Sequence, residues 1–315
     1  MNILVFSDNP SLLNDLLGGA HELAVANGGS ASAIIIGPES ATTKAIEKGA
    51  DKVFWLGELE DKLMDDFVPT MVNLVNEQKP AALLIGATIR GKSIAARIAA
   101  ALNTAVIVNA KEINVVDGVF QAKHMVFGGA VLRVEKPLGD ILVATVGTGI
   151  FTPVSDAMSN GNVETVSFVQ PAIKINKLES KPKKSSASNI GAAKYVVGVG
   201  RGFAHQEDLA LAKDLADVLG GEVGYTRPVT EGNPPFVEGA PYIGVSGIQL
   251  KPELYLAVGI SGQTQHVVGI NESDVIVSIN NDPKALMFHY SDYGIVGDLY
   301  EVLPKLTQAL RSAKK

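Results

Sequence analysis

The chain has 315 residues, of which 46% are hydrophobic and 19% are charged, and its formal net charge is -6. This length is sufficient for two domains, no apolar run approaches the roughly 18 to 20 residues of a membrane helix, and the negative charge gives no general attraction to nucleic acid. Cysteine is absent, which excludes disulfides, iron–sulfur clusters, thiolate nucleophiles and cysteine-based zinc sites.

The first half of the chain alternates short aliphatic runs with segments of helical periodicity, which is typical of an α/β fold. Residues Met1 to Asp8 predict a strand that runs into a turn, with no basic segment and no cleavage region. We therefore expect a prokaryotic, cytoplasmic protein. The predicted strands are Ile3 to Phe6, Ala33 to Ile36, Lys52 to Trp55, Ala82 to Ile85 and Ile141 to Val146.

A phosphate-loop pattern follows the fourth of these strands. Residues Gly86 to Ser93 fit a glycine, four residues and then Gly-Lys-Ser. Taken alone, this pattern indicates ATP binding through Lys92. A nucleotide hydrolase also needs an apolar strand that ends in an aspartate, whereas the strand Ile141 to Val146 ends in Gly147 and Thr148. The alternative is an ordinary turn between a strand and a helix.

A polar, basic and serine-rich segment, Lys177 to Asn189, predicts an interdomain linker between residues 1–176 and residues 190–315. After it, a strand is predicted at Tyr195 to Val199, and a helix with one apolar face is predicted to end at Gly220-Gly221. Further strands are predicted at Glu222 to Tyr225, Glu253 to Val258, Asp274 to Ile279 and Leu286 to His289.

The last helix is predicted from apolar residues at near-helical spacing, with Asp292 as its cap. Pro304 is expected to kink or divide this helix. The apolar residues are Ile295, Leu299, Val302, Leu306 and Leu310.

Two glycine-containing turns of the second half are candidates for phosphate binding. Gly198 to Phe203 resembles a dinucleotide fingerprint, but Phe203 replaces its third glycine, so a simple tight turn is an equal alternative. Gly259 to His266 places small and hydrogen-bonding residues before a predicted helix, whose backbone N–H groups could hold a pyrophosphate. His266 has the alternative interpretation of a polar surface residue. Arg227 lies at a strand end, where open α/β sheets bind ligands, although salt bridging is its commoner role.

Several short motifs follow one another in the second half of the chain: Val199 to Gly202, Thr226-Arg227, Tyr242 to Gly247, Pro252 to His266, Ile279 to Pro283 and Ser291 to Leu299. These motifs and the distances between them resemble the α subunit of electron-transfer flavoproteins over most of residues 195–310. Gly91-Lys92 and His124 to Gly129 are similar to the branch of that family associated with nitrogen-fixation and carnitine-type operons.

The resemblance implies an adenine-nucleotide-hydrolase-like parallel-sheet domain that docks a β subunit, and a Rossmann-like (deoxyhypusine-synthase-like) domain that binds FAD. It implies an electron carrier, with no metal, that makes no substrate bonds itself. The expected donor is a dehydrogenase, of the acyl-CoA type in fatty acid oxidation, and the expected acceptor is a quinone oxidoreductase or similar protein. AMP or a second FAD, the latter for electron bifurcation, is expected in the β subunit.

The resemblance also implies the residues around FAD. Arg227 is expected to act as a cation beside the flavin, Ser246 to lie near flavin N5 and His266 to lie near the pyrimidine carbonyl. The whole expected set is Arg201, Thr226, Arg227, Ile243, Gly244, Val245, Ser246, Ser261, Gly262, Gln263, Thr264, Gln265, His266, Asn280, Asp298 and Leu299. Two alternatives stay open beside this hypothesis: an ATP-binding protein that uses Gly86 to Ser93, and a scaffold protein without redox function.

Overall fold

The computed structural model describes residues 1–137, 139–154, 160–173, 175–179 and 190–313. Contacts divide the chain into two compact units. The first contains Met1–Val126 and Val131–Ser180, and the second contains Phe127–Ala130 and Lys181–Lys315. Most of the expected linker, residues 180–189, lies outside the described residues.

The first unit contains one sheet covered by helices. Its helices are α1 (Pro10–Ala26), α2 (Ser40–Glu47), α3 (Val68–Gln78) and α4 (Ile89–Ala101), with a 3-10 turn at Met64–Phe67. Its strands are β1 (Ile3–Phe6), β2 (Ala31–Ile35), β3 (Lys52–Trp55), β4 (Ala82–Gly86), β5 (Val106–Val116), β6 (Val119–Val126), β7 (Val131–Glu135), β8 (Leu142–Val146) and β9 (Asn162–Thr165).

The strand order within the described part of this sheet is β7-β6-β5-β8-β4-β1-β2-β3-β9. The seven neighbours β5, β8, β4, β1, β2, β3 and β9 are parallel to one another. Strands β6 and β7 extend the sheet beyond β5 and are antiparallel. All four residues of β1 are buried, because helices cover both faces of a parallel sheet, and its sequence is accordingly apolar throughout.

The second unit contains a parallel six-stranded sheet, as far as its described residues show. Its order is β12-β11-β10-β13-β14-β15. The strands are β10 (Tyr195–Val199), β11 (Glu222–Thr226), β12 (Tyr242–Ile243), β13 (Leu254–Val258), β14 (Val275–Asn280) and β15 (Tyr293–Val296). The helices are α5 (Leu209–Leu219), α6 (Arg227–Thr230), α7 (Thr264–Val267) and α8 (Leu299–Ala313), with 3-10 helices at Ile190–Ala192 and Leu286–Tyr290.

The two-domain α/β class predicted from the sequence is confirmed, and so are the predicted strands up to β14, within one or two residues at each end. Helix α5 ends at Gly220, which adopts a left-handed conformation (φ 75°), as the glycine pair indicates. None of the helices in the described ranges has both the length and the apolar character needed to cross a membrane.

The predictions for the last forty or so residues are wrong in three respects. The predicted strand Leu286 to His289 is a 3-10 helix, and Ile295 lies in β15 rather than in the last helix. Asp292 does not cap that helix, because its side chain accepts the Ile276 N–H at 2.8 Å and so joins β14. Of the two effects expected of Pro304, division does not occur, because α8 is continuous through it and holds its apolar face against the core.

Candidate functional site

The expected site residues follow the carboxyl ends of the six parallel strands of the second unit. Parallel strands bring their carboxyl ends to one edge of a sheet, and the chain leaves β10 and β13 in opposite directions. Open α/β sheets bind ligands in the crevice at such a switch point. The expected residues lie after β10 (Arg201), at the end of β11 and just after it (Thr226, Arg227), at the end of β12 and just after it (Ile243 to Ser246), after β13 (Ser261 to His266) and at or just after the ends of β14 and β15 (Asn280, Asp298, Leu299).

The glycines after β10 and β13 allow two loops to pack backbone against backbone at this switch point. The N–H of Gly202 donates to the carbonyl oxygen of Gly259 at 3.0 Å. A Cβ on Gly200 would lie 2.2 Å from that same oxygen, and a Cβ on Gly202 would lie 2.6 Å from the Gly259 Cα. The packing of the two loops therefore requires glycine at both positions.

The loop after β13 presents polar side chains to solvent. Ser261, Gln263, Thr264 and Gln265 are all exposed, and α7 is a single helical turn. Gly262 is buried with a φ of +85°, and the backbone N–H of Met287 donates to the Ser261 carbonyl at 3.2 Å. The 3-10 helix therefore holds the loop from behind, while its hydroxyl and amide groups stay available to a ligand.

The loop after β12 lies beside the loop after β13. The N–H of Val245 donates to the carbonyl of Gln265 at 2.8 Å, and Gly244, at φ +150°, also packs against the Gln265 backbone. Ser246 is exposed, and its hydroxyl oxygen lies 3.0 Å from the hydroxyl oxygen of Tyr242. The expected residues of these two loops are thus brought together.

Arg227 is exposed at the carboxyl end of β11, next to this pair of loops. Its Nε donates to a Glu231 carboxylate oxygen at 2.7 Å, and its guanidinium lies 5.5 Å from the centre of the Tyr242 ring. The Glu231 carboxylate raises the pKa of Arg227 further above its already high value. An exposed ion pair of this kind contributes little to stability. The contacts with Glu231 and Tyr242 instead orient the guanidinium.

His266 is buried rather than on the surface, with 8% of its area exposed, so its interpretation as a surface residue is wrong. Its Nε2 lies 3.0 Å from the hydroxyl oxygen of Tyr255, and its Nδ1 lies 3.3 Å from the carbonyl oxygen of Ile243. Burial lowers the pKa of His266 to about 4. At neutral pH its imidazole is therefore uncharged.

The low pKa of His266 predicts a component of stability that depends on pH. The pKa of His266 falls from 6.5 to about 4 on folding. The free energy of unfolding should therefore be independent of this histidine above pH 6.5 and should decrease by about 3 kcal/mol as the pH falls from 6.5 to 4. Urea unfolding over this range should show a steeper loss for the wild type than for His266→Gln. A control variant of the exposed His289, His289→Gln, should follow the wild type. Parallel curves for all three proteins would contradict the prediction.

The remaining expected residues lie along the other half of the edge. Asn280 donates from Nδ2 to the Ile260 carbonyl at 2.9 Å, and Asp298 accepts the Tyr300 N–H at 2.9 Å. Arg201 is exposed, whereas Leu299 is buried with its side chain 3.3 Å from the position of a Cβ on Gly259. Asn280 and Leu299 thus join the loop after β13 to the far end of the sheet.

Sequence reasoning missed the side chains that support this edge. Glu231 pairs with Arg227, and its position four residues later on a helix is the signal that could have found it. The Tyr300 hydroxyl donates to Asp208 at 2.6 Å and accepts the Ala204 N–H at 2.8 Å. This second arrangement joins residues 92 to 96 positions apart, and no local pattern predicts it.

The phosphate-loop pattern of the first unit does not form a phosphate loop. Only Ala87 and Thr88 separate β4 from α4, so the second half of the pattern is already helical. Thr88 caps the helix by accepting the Gly91 N–H at 2.8 Å and donates its own hydroxyl to Asp8 at 2.5 Å. A Cβ on Gly91 would lie 1.9 Å from the Gly86 carbonyl oxygen. The pattern is the strand-to-helix turn of the alternative interpretation.

Sheet order and site together define a class of protein. Numbered within the second unit, the strands follow the order 3-2-1-4-5-6 of the doubly wound dinucleotide-binding folds. The edge loops carry exposed hydroxyl and amide groups, two exposed arginines and one buried neutral imidazole, together with glycines that bring the backbone close. These are donors of the kind that bind a dinucleotide, and the described residues contain no group of three or more potential metal ligands.

Comparisons with known proteins identify the family. A family model described as the electron transfer flavoprotein domain matches residues 11–171, and one described as the electron transfer flavoprotein FAD-binding domain matches residues 189–271. The chain is 40% identical over 312 residues to YdiR of Escherichia coli K12, described as an electron transfer flavoprotein subunit, with 98% of each chain covered. It is 39% identical over 311 residues to FixB of Escherichia coli O1:K1 and of Shigella flexneri, with 98% of this chain and 97% of FixB covered.

The chain belongs to the electron transfer flavoprotein family, as an α-type subunit with a FAD-binding domain. The family predicted from the sequence motifs is confirmed, and so is FAD as the cofactor. The function is therefore electron transfer.

Proposed function

We propose that this protein is a cytoplasmic electron carrier that works as a heterodimer with a β subunit. It would accept electrons from a dehydrogenase, of the acyl-CoA type in fatty acid oxidation, and pass them to a quinone oxidoreductase or similar acceptor. The observation that carries the proposal is the set of loops at the carboxyl edge of the second sheet. The loops after β10, β11, β12 and β13 lie within residues 189–271, which match the FAD-binding domain.

The residues at this edge suit the parts of FAD. The exposed hydroxyl and amide groups of Ser261 to Gln265 would bind the ribityl chain and the pyrophosphate. Thr226, Arg227, the segment Ile243 to Ser246 and His266 would surround the isoalloxazine ring. Arg201, Asn280, Asp298 and Leu299 would hold the adenosine half.

Bound FAD supplies reversible electron uptake, and the chain supplies binding, orientation and electrostatics. Arg227 would place a positive charge near the ring, oriented by Glu231 and Tyr242. His266 would contribute a neutral imidazole, since burial keeps its pKa at about 4. The chain itself makes and breaks no substrate bonds.

The partner and domain assignments complete the proposal. Residues 1–176 would dock the β subunit, residues 177–189 would link the two domains, and residues 190–315 would bind FAD. The β subunit would carry AMP or, in an electron-bifurcating pair, a second FAD. The support for a heterodimer is membership of a family whose α-type subunits pair with a β subunit.

The proposal is tested by expressing the chain together with the β-type subunit and measuring the FAD released on denaturation. The expected result is a yellow heterodimer whose flavin is reduced by dithionite and reoxidised by an added acceptor. Lys92→Ala should keep its FAD, because Lys92 lies in the first unit, and no magnesium-dependent ATP hydrolysis should appear in either protein. A colourless complex that takes up no added FAD would contradict the proposal and would favour the scaffold hypothesis. ATP hydrolysis that Lys92→Ala abolishes would favour ATP binding.

A further inference from the structure

Tyr255 is a buried tyrosine that the proposed function leaves without a role. It lies on β13 with 0% of its area exposed, among the apolar side chains on one face of the second sheet. Its Cα is paired with Val196 of β10, yet its hydroxyl lies over Gly198, two residues nearer the carboxyl edge. The ring therefore extends along the strands towards the loops that carry the expected FAD site.

The two ring nitrogens of His266 have separate partners, the Ile243 carbonyl and the Tyr255 hydroxyl. The Ile243 carbonyl oxygen, 3.3 Å from Nδ1 of His266, can only accept a hydrogen bond, so Nδ1 carries the proton. In a neutral imidazole the other nitrogen, Nε2, is then an acceptor. The Tyr255 hydroxyl, 3.0 Å away, donates to it. Both ring nitrogens are satisfied in one tautomer.

Space for this hydrogen bond is made in β10. A Cβ on Gly198 would lie 1.9 Å from the Tyr255 hydroxyl oxygen and 2.4 Å from the ring carbon that bears it. A strand interior ordinarily favours β-branched residues over glycine, so the glycine has a packing reason here. Gly198 thus leaves space for the Tyr255 hydroxyl that contacts His266. Gly200 and Gly202 have a different role, because they leave space for the loop after β13.

The surroundings of the pair keep both groups neutral. Burial raises the pKa of the Tyr255 phenol and lowers the pKa of His266, which the Ile243 carbonyl raises by a smaller amount. Tyr255 belongs to a buried apolar cluster that includes Val196 (β10), Ile243 (β12), Ala257 (β13), Val267 (α7), Ile276 (β14) and Met287 (3-10 helix). Among the described contacts of the His266 ring, Tyr255 is the titratable partner.

We propose that Tyr255 is a positioning residue of the FAD site, whose hydroxyl donates to the unprotonated Nε2 of His266 and so holds the neutral imidazole in one ring orientation. The inference deepens the proposed function and rests on it, since it assigns His266 a ring position and a charge state towards the flavin. On this basis, Arg227 provides positive charge at the flavin end of the site, and His266 provides none at neutral pH.

The proposal is tested on the heterodimer labelled with ¹⁵N-histidine, by measuring the ring nitrogen resonances between about pH 5 and pH 8, the range in which an ordinary histidine titrates. His266→Gln identifies the resonances of His266. In the wild type they should show a protonated Nδ1, an unprotonated Nε2 and no titration. In Tyr255→Phe the Nε2 resonance should shift because this nitrogen has lost its hydrogen-bond donor, and FAD should dissociate about tenfold more readily, as expected for one lost buried hydrogen bond.

Two further variants separate the hydrogen bond from general packing. Tyr225→Phe removes a hydroxyl from β11, on the opposite face of the sheet, and should leave the His266 resonances unchanged. Gly198→Ala keeps the Tyr255 hydroxyl but displaces it, and should produce the same shift of the Nε2 resonance as Tyr255→Phe. Should Tyr255→Phe prove too unstable to purify, Gly198→Ala alone provides the test.

Two results would overturn the assignment. One is a wild-type His266 protonated at Nε2. The other is an Nε2 resonance that is unchanged in Tyr255→Phe and in Gly198→Ala. FAD content is measured separately, so that a heterodimer without FAD would refute the proposed function while the nitrogen resonances still decide the tautomer.

Discussion

Gly262→Ala is expected to abolish the retention of FAD by the heterodimer. Gly262 has a φ of +85°, a conformation that is unfavourable for an L residue by about 1 to 2 kcal/mol. A Cβ there would also lie 2.1 Å from the backbone nitrogen of Met287, which cannot move without its 3-10 helix. The loop Ser261 to Gln265 would be pushed away from the edge of the sheet. We expect a loss of FAD affinity of about a hundredfold or more, measured by fluorescence of released flavin.

The matched control is Gly239→Ala. Gly239 also has a positive φ, +76°, but a Cβ there would meet nothing within 4 Å. This variant therefore carries the backbone strain alone and should retain FAD, with a small decrease in the temperature of unfolding. The difference between the two variants measures what the displaced loop contributes to FAD binding. Equal FAD content in both would contradict the assignment of this loop to the cofactor.

The strands β1 to β4, β8, β10, β11, β13 and β14 were predictable because burial in a parallel sheet favours apolar sequences. The residues of β1 and β4 are buried throughout, and each of these two strands is an uninterrupted apolar run. No strand was predicted for β5, β6, β7, β9 or β12. The edge strands follow a different rule. All four residues of β15 are exposed although they include Tyr293 and Ile295, and an apolar residue at an edge fits a strand and a helix equally well by periodicity. This is why the start of α8 was misplaced.

The site was predictable to the extent that strand ends are predictable. Arg227 and the loop from Gly259 follow strands that the sequence indicates clearly, and parallel strands place their ends on one edge. The burial of His266 was not predictable, because it depends on Tyr255 of a neighbouring strand and on space left by Gly198. The phosphate-loop pattern fails for a similar reason. It specifies residue types, whereas phosphate binding requires a loop long enough to curl around the phosphate, and here only two residues separate strand and helix.

Arg227→Gln is expected to shift the midpoint potential of bound FAD to more negative values. Electron uptake adds negative charge to the flavin, and removal of a nearby cation makes that uptake less favourable. The Arg227 side chain is 64% exposed, so water and salt screen its charge, and we expect a shift on the order of tens of millivolts that shrinks as salt is added. Spectroscopic titration of the heterodimer against a reference dye measures the shift.

Glu231→Gln makes the sign of this prediction testable in both directions. Glu231 binds the Arg227 Nε at 2.7 Å and partly offsets its charge, so removing the carboxylate should shift the potential to more positive values, opposite to Arg227→Gln. Arg311→Gln is the matched control, since it removes an exposed arginine from the last turn of α8. If Arg311→Gln changed the potential as much as Arg227→Gln, the effect would be one of net charge. A local interaction predicts shifts of opposite sign for Arg227→Gln and Glu231→Gln and no shift for Arg311→Gln. The reason is that salt screens an exposed charge that is far from the flavin, so only a nearby charge changes the potential.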